Sequence, residues 1–271
     1  MAGYALTGET REHALFFLYG TGGNGKGTFV NALCGCVDDY HRSAPMDAFT
    51  ETRYERHPTD LAGFRGARLV TGVETEEGRH WAESKIKTLT GGDKISARIM
   101  PQDFFEYWPQ FKLLIYGNHR PSFRSVDEAI RRRVHLIPFN ITITPAERDT
   151  ELDDKLKEEW PGILAWMIQG CLDWQKHGLA SPDPVASATA AYLEAEDTHA
   201  AWMAECCIQD PDARERVSDL FASWSEWAKE AGESVGSQRS FSERLEAHGV
   251  RRWRRRDARG FIGLRLLGVP G

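Results

Sequence analysis

Ala14-Leu15-Phe16-Phe17-Leu18-Tyr19-Gly20-Thr21-Gly22-Gly23-Asn24-Gly25-Lys26-Gly27-Thr28-Phe29-Val30-Asn31-Ala32-Leu33 is the stretch whose reading decides the fold. The apolar run Ala14–Leu18 reads as a buried strand, and Phe29 onward can continue as a helix. A glycine loop between strand and helix is what a polyphosphate cradle requires. Glycines let successive backbone N–H groups turn toward phosphate oxygens, and the helix start adds positive dipole there. Gly20, Gly22, Gly23, Asn24, Gly25, Lys26, Gly27 and Thr28 are the candidate phosphate-binding residues, with Lys26 as a mobile point charge. The residue after that lysine, usually Ser or Thr, is Gly27, and the hydroxyl comes one place later at Thr28. Either Thr28 or an ordered water then takes the usual hydroxyl position on Mg²⁺.

Three further apolar runs repeat the strand pattern: Ala67–Val73, Phe111–Tyr116 and Val134–Phe139. Runs this apolar, alternating with helical segments, suit a parallel sheet covered on both faces. From Pro145 the pattern turns helical, and Ser181-Pro182-Asp183-Pro184 is a linker signal. The expected plan is therefore an α/β core over 1–145, a helical segment and linker over 146–198, and a small unit over 199–271. In that last unit Val217–Ala231 reads as a helix with Leu220, Phe221, Trp224 and Trp227 on one side. Phe241–His248 reads as a second helix. Two short strands around a basic tip, Arg251-Arg252-Trp253-Arg254-Arg255-Arg256, follow it. Helices followed by such a hairpin suit a winged-helix-like module.

Composition narrows the class. The 271 residues carry 41% hydrophobic and 27% charged side chains, as a globular protein does. A formal net charge of −6 argues against a surface that is basic throughout, while leaving room for local basic patches. No apolar run approaches membrane-spanning length. Met1-Ala2-Gly3-Tyr4 does not open a charged and then apolar stretch, so no secretory signal is expected. Five scattered cysteines then read as reduced thiols in a cytoplasm. Cys34-Gly35-Cys36 has no partner pair at zinc spacing and reads as small residues near a helix end.

Phosphate chemistry needs a group to organise the metal and its water, and a base for the attacking water. The second strand runs into Glu74-Thr75-Glu76-Glu77, so Glu74 is the first candidate for that work and Glu76 the second. The third ends in Gly117-Asn118, and Asn118 is placed to hold the water or sense the γ-phosphate. Ala129-Ile130-Arg131-Arg132-Arg133 precedes the fourth strand. One guanidinium, Arg132 or Arg133, is expected to reach a nucleotide, and the others to make structural ion pairs. Between the second and third strands, Lys94–Trp108 reads as a hairpin with basic and aromatic members. Lys94 and Arg98 are its candidate contacts to a nucleic-acid strand, while Phe104 and Trp108 read as core aromatics beneath a loop. In the tail, Arg251, Arg252, Arg254, Arg255 and Arg256 are the candidate DNA contacts.

Taken in order, Gly20–Thr28, Val70–Glu77, Thr90-Gly91-Gly92-Asp93, and Leu113–Asn118 with Asp127–Phe139 resemble the superfamily 3 helicase domain of phage and plasmid primase-helicases. The resemblance covers most of residues 5–145, and the region after Ala200 resembles, less specifically, the winged-helix tail often attached to such proteins. It implies an AAA+-like P-loop NTPase core. It also implies ATP and Mg²⁺ as cofactors, a homo-hexameric ring around DNA, and movement along single-stranded DNA at a replication fork. By position, Lys26 contacts phosphate, Glu74 with Thr28 holds the metal, Asn118 is the polar sensor, and Arg132 or Arg133 is the finger offered to a neighbouring subunit. About a dozen residues precede the first strand, so the resemblance implies a primase partner or a primase part outside this chain. The implied setting is the cytoplasm of a bacterial host carrying a phage, prophage or plasmid.

Two other functions fit parts of the pattern. In one, an ATP-switched replication initiator or loader binds DNA through the tail without unwinding it. In the other, a small-molecule kinase uses the same Gly-Lys-Gly-Thr loop, but would have no use for the basic tail.

Overall fold

The computed structural model describes residues 1–52, 59–74, 76, 78–99, 103–124, 126–255 and 258–267. The chain divides into two compact units, Met1–Leu193 and Glu194–Gly271.

The first unit is built on strands β1 (Leu15–Tyr19), β2 (His41–Ala44), β3 (Leu69–Glu74), β4 (Ile95–Arg98), β5 (Phe104–Tyr107), β6 (Lys112–Gly117) and β7 (Val134–Pro138). Five of them form one sheet in the order β2-β3-β6-β1-β7, and every neighbouring pair runs parallel. The four apolar runs supply β1, β3, β6 and β7, as their composition predicts. Successive side chains alternate between faces. Leu15 and Phe17 join Val70, Leu113, Ile115, Val134 and Leu136 in one core, while Phe16 and Leu18 join Leu69 and Leu114 in another. The second core also holds Val30 and Leu33 of the helix Lys26–Val37, and Met167 and Trp174 of the helix Trp160–His177. Both sheet faces are thus covered.

The edge strand β2 is polar and was not expected: Arg42 and Ser43 are exposed and only Ala44 is buried. The boundary also differs from the expected plan. The helix Asp183–Ala195 sends Tyr192 into the core of the first unit, where its hydroxyl accepts from Trp81 Nε1 at 3.0 Å and donates to the Pro121 carbonyl. The helical stretch after residue 145 is therefore continuous with the core. Among the described residues no helix is long and apolar enough to cross a membrane.

The second unit runs helix Thr198–Cys206, strand β8 (Cys207–Arg216), helix Val217–Glu230, helix Gln238–Ala247, then strands β9 (Arg251–Arg254) and β10 (Arg259–Leu266). The three strands make an antiparallel sheet in the order β8-β10-β9. Its core gathers Trp202, Leu220, Trp224, Ala228, Phe241, Leu245, Phe261 and Leu264. Helices followed by a hairpin were expected here, and β8 was not.

Candidate functional site

Strand register sets the site. Tyr19 at the end of β1 and Glu74 at the end of β3 both pair with Gly117 at the end of β6. One cross-sheet row therefore delivers the glycine loop, the acid and the amide to the same level, at the carboxyl edge where parallel sheets bind ligands. Gly22, Gly23 and Gly25 take φ of 100°, 59° and 79°, a left-handed region that side chains disfavour. That conformation bends the loop into the start of the helix at Lys26.

The resulting cleft, about 480 Å³, is lined by Gly22–Thr28, Val73, Glu74, Tyr116, Gly117, Asn118 and His119. Lys26 is buried, and burial lowers its pKa. Its ammonium donates to the Gly20 carbonyl at 2.8 Å, to Asn24 Oδ1 at 3.0 Å and to Asn118 Oδ1 at 3.1 Å. Asn24 is fixed in turn by its Nδ2, which donates to the Phe139 carbonyl at 2.9 Å. All three donors of Lys26 are thus occupied by neutral oxygens, so an incoming phosphate exchanges dipoles for a full negative charge.

Glu74 is 3% exposed, and its Oε1 accepts the backbone N–H of Glu76 at 2.6 Å. Its Oε2 is buried and has no hydrogen-bond partner. An orphaned buried carboxylate oxygen is costly, and a cation or an ordered water removes that cost. Thr28 lines the same cleft. Oxygen donors of this kind fit Mg²⁺, which binds few carboxylates and keeps several waters. Glu74 and Thr28 are therefore the residues that would hold it. Among the described residues no group of three or more His, Cys, Asp or Glu forms a ready-made metal cage.

Two candidates stand elsewhere. Glu76 is exposed, does not line the cleft, and pairs with Arg79, Nε to Oε2 at 2.8 Å. A role for its carboxylate in the cleft is corrected: what Glu76 contributes is the backbone N–H that holds Glu74. Arg133 is 6% exposed and turned inward. Its Nε donates to Thr90 Oγ1 at 3.1 Å and its Nη1 to the Ala129 carbonyl at 2.8 Å. It is a structural arginine and not an outward finger. Arg132, one residue earlier, is exposed. Thr90-Gly91-Gly92-Asp93 ends the helix Glu83–Gly91, with Gly92 at φ 83°, and supplies the hydroxyl that anchors Arg133.

The hairpin corrects a second expectation. Ile95, Ala97 and Tyr107 face the core, whereas Phe104 and Trp108 are each 61% exposed. The Lys94 ammonium lies 5.8 Å from the Trp108 ring centre, and the Arg98 guanidinium 5.4 Å from that of Phe104. The turn residues 100–102 lie outside the described residues, as do Glu77 and Arg256.

Sequence reasoning also missed cleft residues. At Gly117, which ends β6, a Cβ would stand 2.6 Å from Glu74 Cβ and 2.8 Å from the Glu74 carbonyl oxygen. Its lack of a side chain lets β6 and Glu74 come together. His119 lines the cleft beside Asn118. The segment after β7 crosses the loop, where Ile143 N donates to the Gly23 carbonyl at 2.7 Å. It brings exposed Arg148 to 3.4 Å from the position a Gly23 Cβ would take. No signal in one sequence ties residue 148 to residue 23.

Fold and cleft together define an α/β phosphate-loop domain, and its likeness to known proteins lies among helicases. Residues 18–133 match the profile of a family of unknown function, DUF5906. Over 245 residues the chain is 26% identical to L207/L206, a helicase-named protein of Acanthamoeba polyphaga mimivirus, covering 83% of this chain and 26% of that one. It is also 26% identical over 254 residues to the helicase-named 022R of Frog virus 3 (isolate Goorha), covering 83% and 25%. The chain thus spans about a quarter of the length of these relatives. Among solved structures, the apo C-terminal region of NrS-1 superposes with a TM-score of 0.56 at 12% identity, over 94% of this chain and 68% of that one. That similarity is one of fold.

Proposed function

We propose that this chain is an ATP-driven DNA helicase module. It would hydrolyse ATP at the Lys26 cleft and move along single-stranded DNA as part of a ring, at a replication fork of a phage- or plasmid-type element. The observation that carries this reading is the buried, unpaired Oε2 of Glu74, a residue that lines the same cleft as the glycine loop, Lys26 and Asn118. The loop amides and the Lys26 ammonium bind the β- and γ-phosphates. Asn118, released from Lys26 when phosphate arrives, orients the attacking water, and the Glu74 carboxylate polarises it as base. Glu74 and Thr28 would hold Mg²⁺, which would supply neutralisation of phosphate charge. Exposed Arg132 would be the arginine offered to a neighbouring subunit's nucleotide, with the complete site at a subunit interface of a homo-hexamer.

Lys94, Arg98, Phe104 and Trp108 give the β4–β5 hairpin both elements of a single-strand grip: cations for phosphates and open rings for base stacking. The tail is read as a winged-helix-like DNA-binding module. A primase partner, or a primase part of a longer polypeptide, completes the replication role.

Mg²⁺-dependent ATP hydrolysis measured with and without single-stranded DNA, across a salt series, tests this reading. The rate is expected to rise with DNA and to vanish in Lys26→Ala. A rate indifferent to DNA at every salt concentration overturns translocation. Sequence-specific duplex binding without strand separation would instead favour the initiator or loader.

A further inference from the structure

The chain's densest run of arginines lies in the tail. Residues 251–259 hold six arginines and one aspartate within a chain of net charge −6. The fold concentrates part of that charge further. Arg254 at the end of β9 and Arg259 at the start of β10 are directly opposed in the antiparallel ladder. Like charges at facing positions destabilise a sheet. On the other side of β10, Arg216 at the end of β8 pairs with Gly260. A Cβ at Gly260 would lie 1.9 Å from the Glu215 carbonyl oxygen, so only glycine lets β8 and β10 bring these arginines so near each other.

Arg216, Arg254, Arg255 and Arg259 are all exposed and line one cleft of about 430 Å³, which opens beside the first turn of the helix Val217–Glu230. That helix starts without a side-chain cap, and its first residues, Val217 and Ser218, line the cleft. No carboxylate is among the described lining residues. Two nearby arginines outside the cleft are in ion pairs: Arg252 with Glu246 at 2.6 Å, and Arg239 with Glu243 at 3.0 Å. The helix Gln238–Ala247, which follows the first as a recognition helix would, is charge-balanced, with two arginines and two glutamates.

We propose that this strand-end cleft, formed by Arg216, Arg254, Arg255 and Arg259, is a phosphodiester site that grips the backbone of duplex DNA without reading its sequence. The proposal rests on the reading of the tail as a DNA-binding module, and it moves the grip away from the helix Gln238–Ala247 and away from Arg252. Planar guanidinium forks match phosphate oxygens in pairs, and a bound backbone offsets the repulsion between Arg254 and Arg259. Among its described lining residues the cleft offers four guanidinium groups, the Ser218 hydroxyl and the Gln238 amide, donors that all suit phosphate oxygens.

The experiment measures duplex binding by full-length Lys26→Ala chain without nucleotide, so the result is independent of ATP hydrolysis. Three duplexes of unrelated sequence are titrated between 50 and 200 mM salt. Arg216→Ala/Arg259→Ala is expected to lower affinity at least tenfold, equally on all three, and to flatten the slope of log K against log salt by about two. Arg216→Lys/Arg259→Lys, folded to the same extent by far-UV circular dichroism, is expected to recover most of the binding. An unchanged affinity in the alanine variant overturns the site while leaving the ATPase reading intact. A loss confined to one sequence overturns backbone recognition. Equal or tighter binding to phosphatidylserine vesicles assigns the cleft to a membrane surface and overturns the proposal.

Discussion

Lys26 has all its donors occupied by Gly20, Asn24 and Asn118. Its removal costs both the phosphate charge and the position of Asn118, so Lys26→Ala is expected to abolish turnover and weaken nucleotide binding at least tenfold, as equilibrium dialysis would measure. Gly27 behaves differently. A Cβ there meets nothing within 4 Å, and the residue sits in the first helical turn. Gly27→Ser is therefore expected to fold slightly better, by about 0.5 kcal/mol, because it removes a helical glycine. It also restores a hydroxyl after the lysine, and hydrolysis should persist at a lower Mg²⁺ concentration. Gly117→Ala should do the opposite: the methyl group meets Glu74 at 2.6 Å, so stability falls by about 1–3 kcal/mol and kcat falls more than KM rises. At this scale the glycine loop, Glu74 and Asn118 were legible because each ends an apolar run. The inward turn of Arg133 was not. It depends on Thr90, more than forty residues away along the chain, which holds Arg133 inward.

Among the elements, the β4–β5 hairpin makes the sharpest prediction. Stacking on an open aromatic contributes about 1–3 kcal/mol per base. Phe104→Ala/Trp108→Ala is therefore expected to weaken single-stranded DNA binding at least tenfold, measured by fluorescence anisotropy of a labelled oligonucleotide; an unaltered affinity removes the hairpin from the DNA path. Aromatic content alone had suggested that both rings were buried. Strand alternation from buried Tyr107 puts positions 104, 106 and 108 on the outer face, so the signal was present as parity and not as hydrophobicity. The strands β2 and β8 left no such signal. His41-Arg42-Ser43-Ala44 is a polar edge, and Cys207–Arg216 carries Pro211 and alternating charges; both are strands because a neighbour supplies the ladder.

In the tail, His199 is 4% exposed and stacked on Trp224 with ring centres 3.9 Å apart. Burial, with Arg244 and His248 nearby and Asp197 only partly compensating, pushes its pKa down to about 3. The unfolded chain binds that proton near pH 6.5, so the folded tail binds fewer protons between about 6.5 and 3 and loses stability as pH falls through that window. His199→Phe is expected to flatten this acid dependence, followed by near-UV circular dichroism of the tail tryptophans. An identical acid profile in the variant would assign the effect to other groups.

At the scale of the whole molecule, each compact unit has a core of its own, and every residue lining the Lys26 cleft belongs to the first. In the proposed mechanism only Arg132 acts on a neighbouring chain. If sites are shared between subunits, mixing Lys26→Ala with Arg132→Ala protein should restore part of the hydrolysis that each lacks alone. Failure of every mixing ratio, with the protein monomeric in ATP and DNA, would remove Arg132 from catalysis. The order of the candidate groups along the chain was readable, since loop, acid, amide and arginine each stand at a helix or strand end. The boundary between the units was not. Pro182 and Pro184 mark a turn, but Tyr192 beyond them docks against Trp81 and Pro121 and carries the first unit on to Leu193.

The most direct test of the central claim compares wild-type and Glu74→Gln protein for ATP binding and ATP hydrolysis in the same preparation with Mg²⁺. The claim predicts that the variant binds ATP within a few-fold of wild type while its hydrolysis falls at least a hundredfold. Hydrolysis by Glu74→Gln at the wild-type rate, or a wild-type chain that binds no ATP, would contradict it.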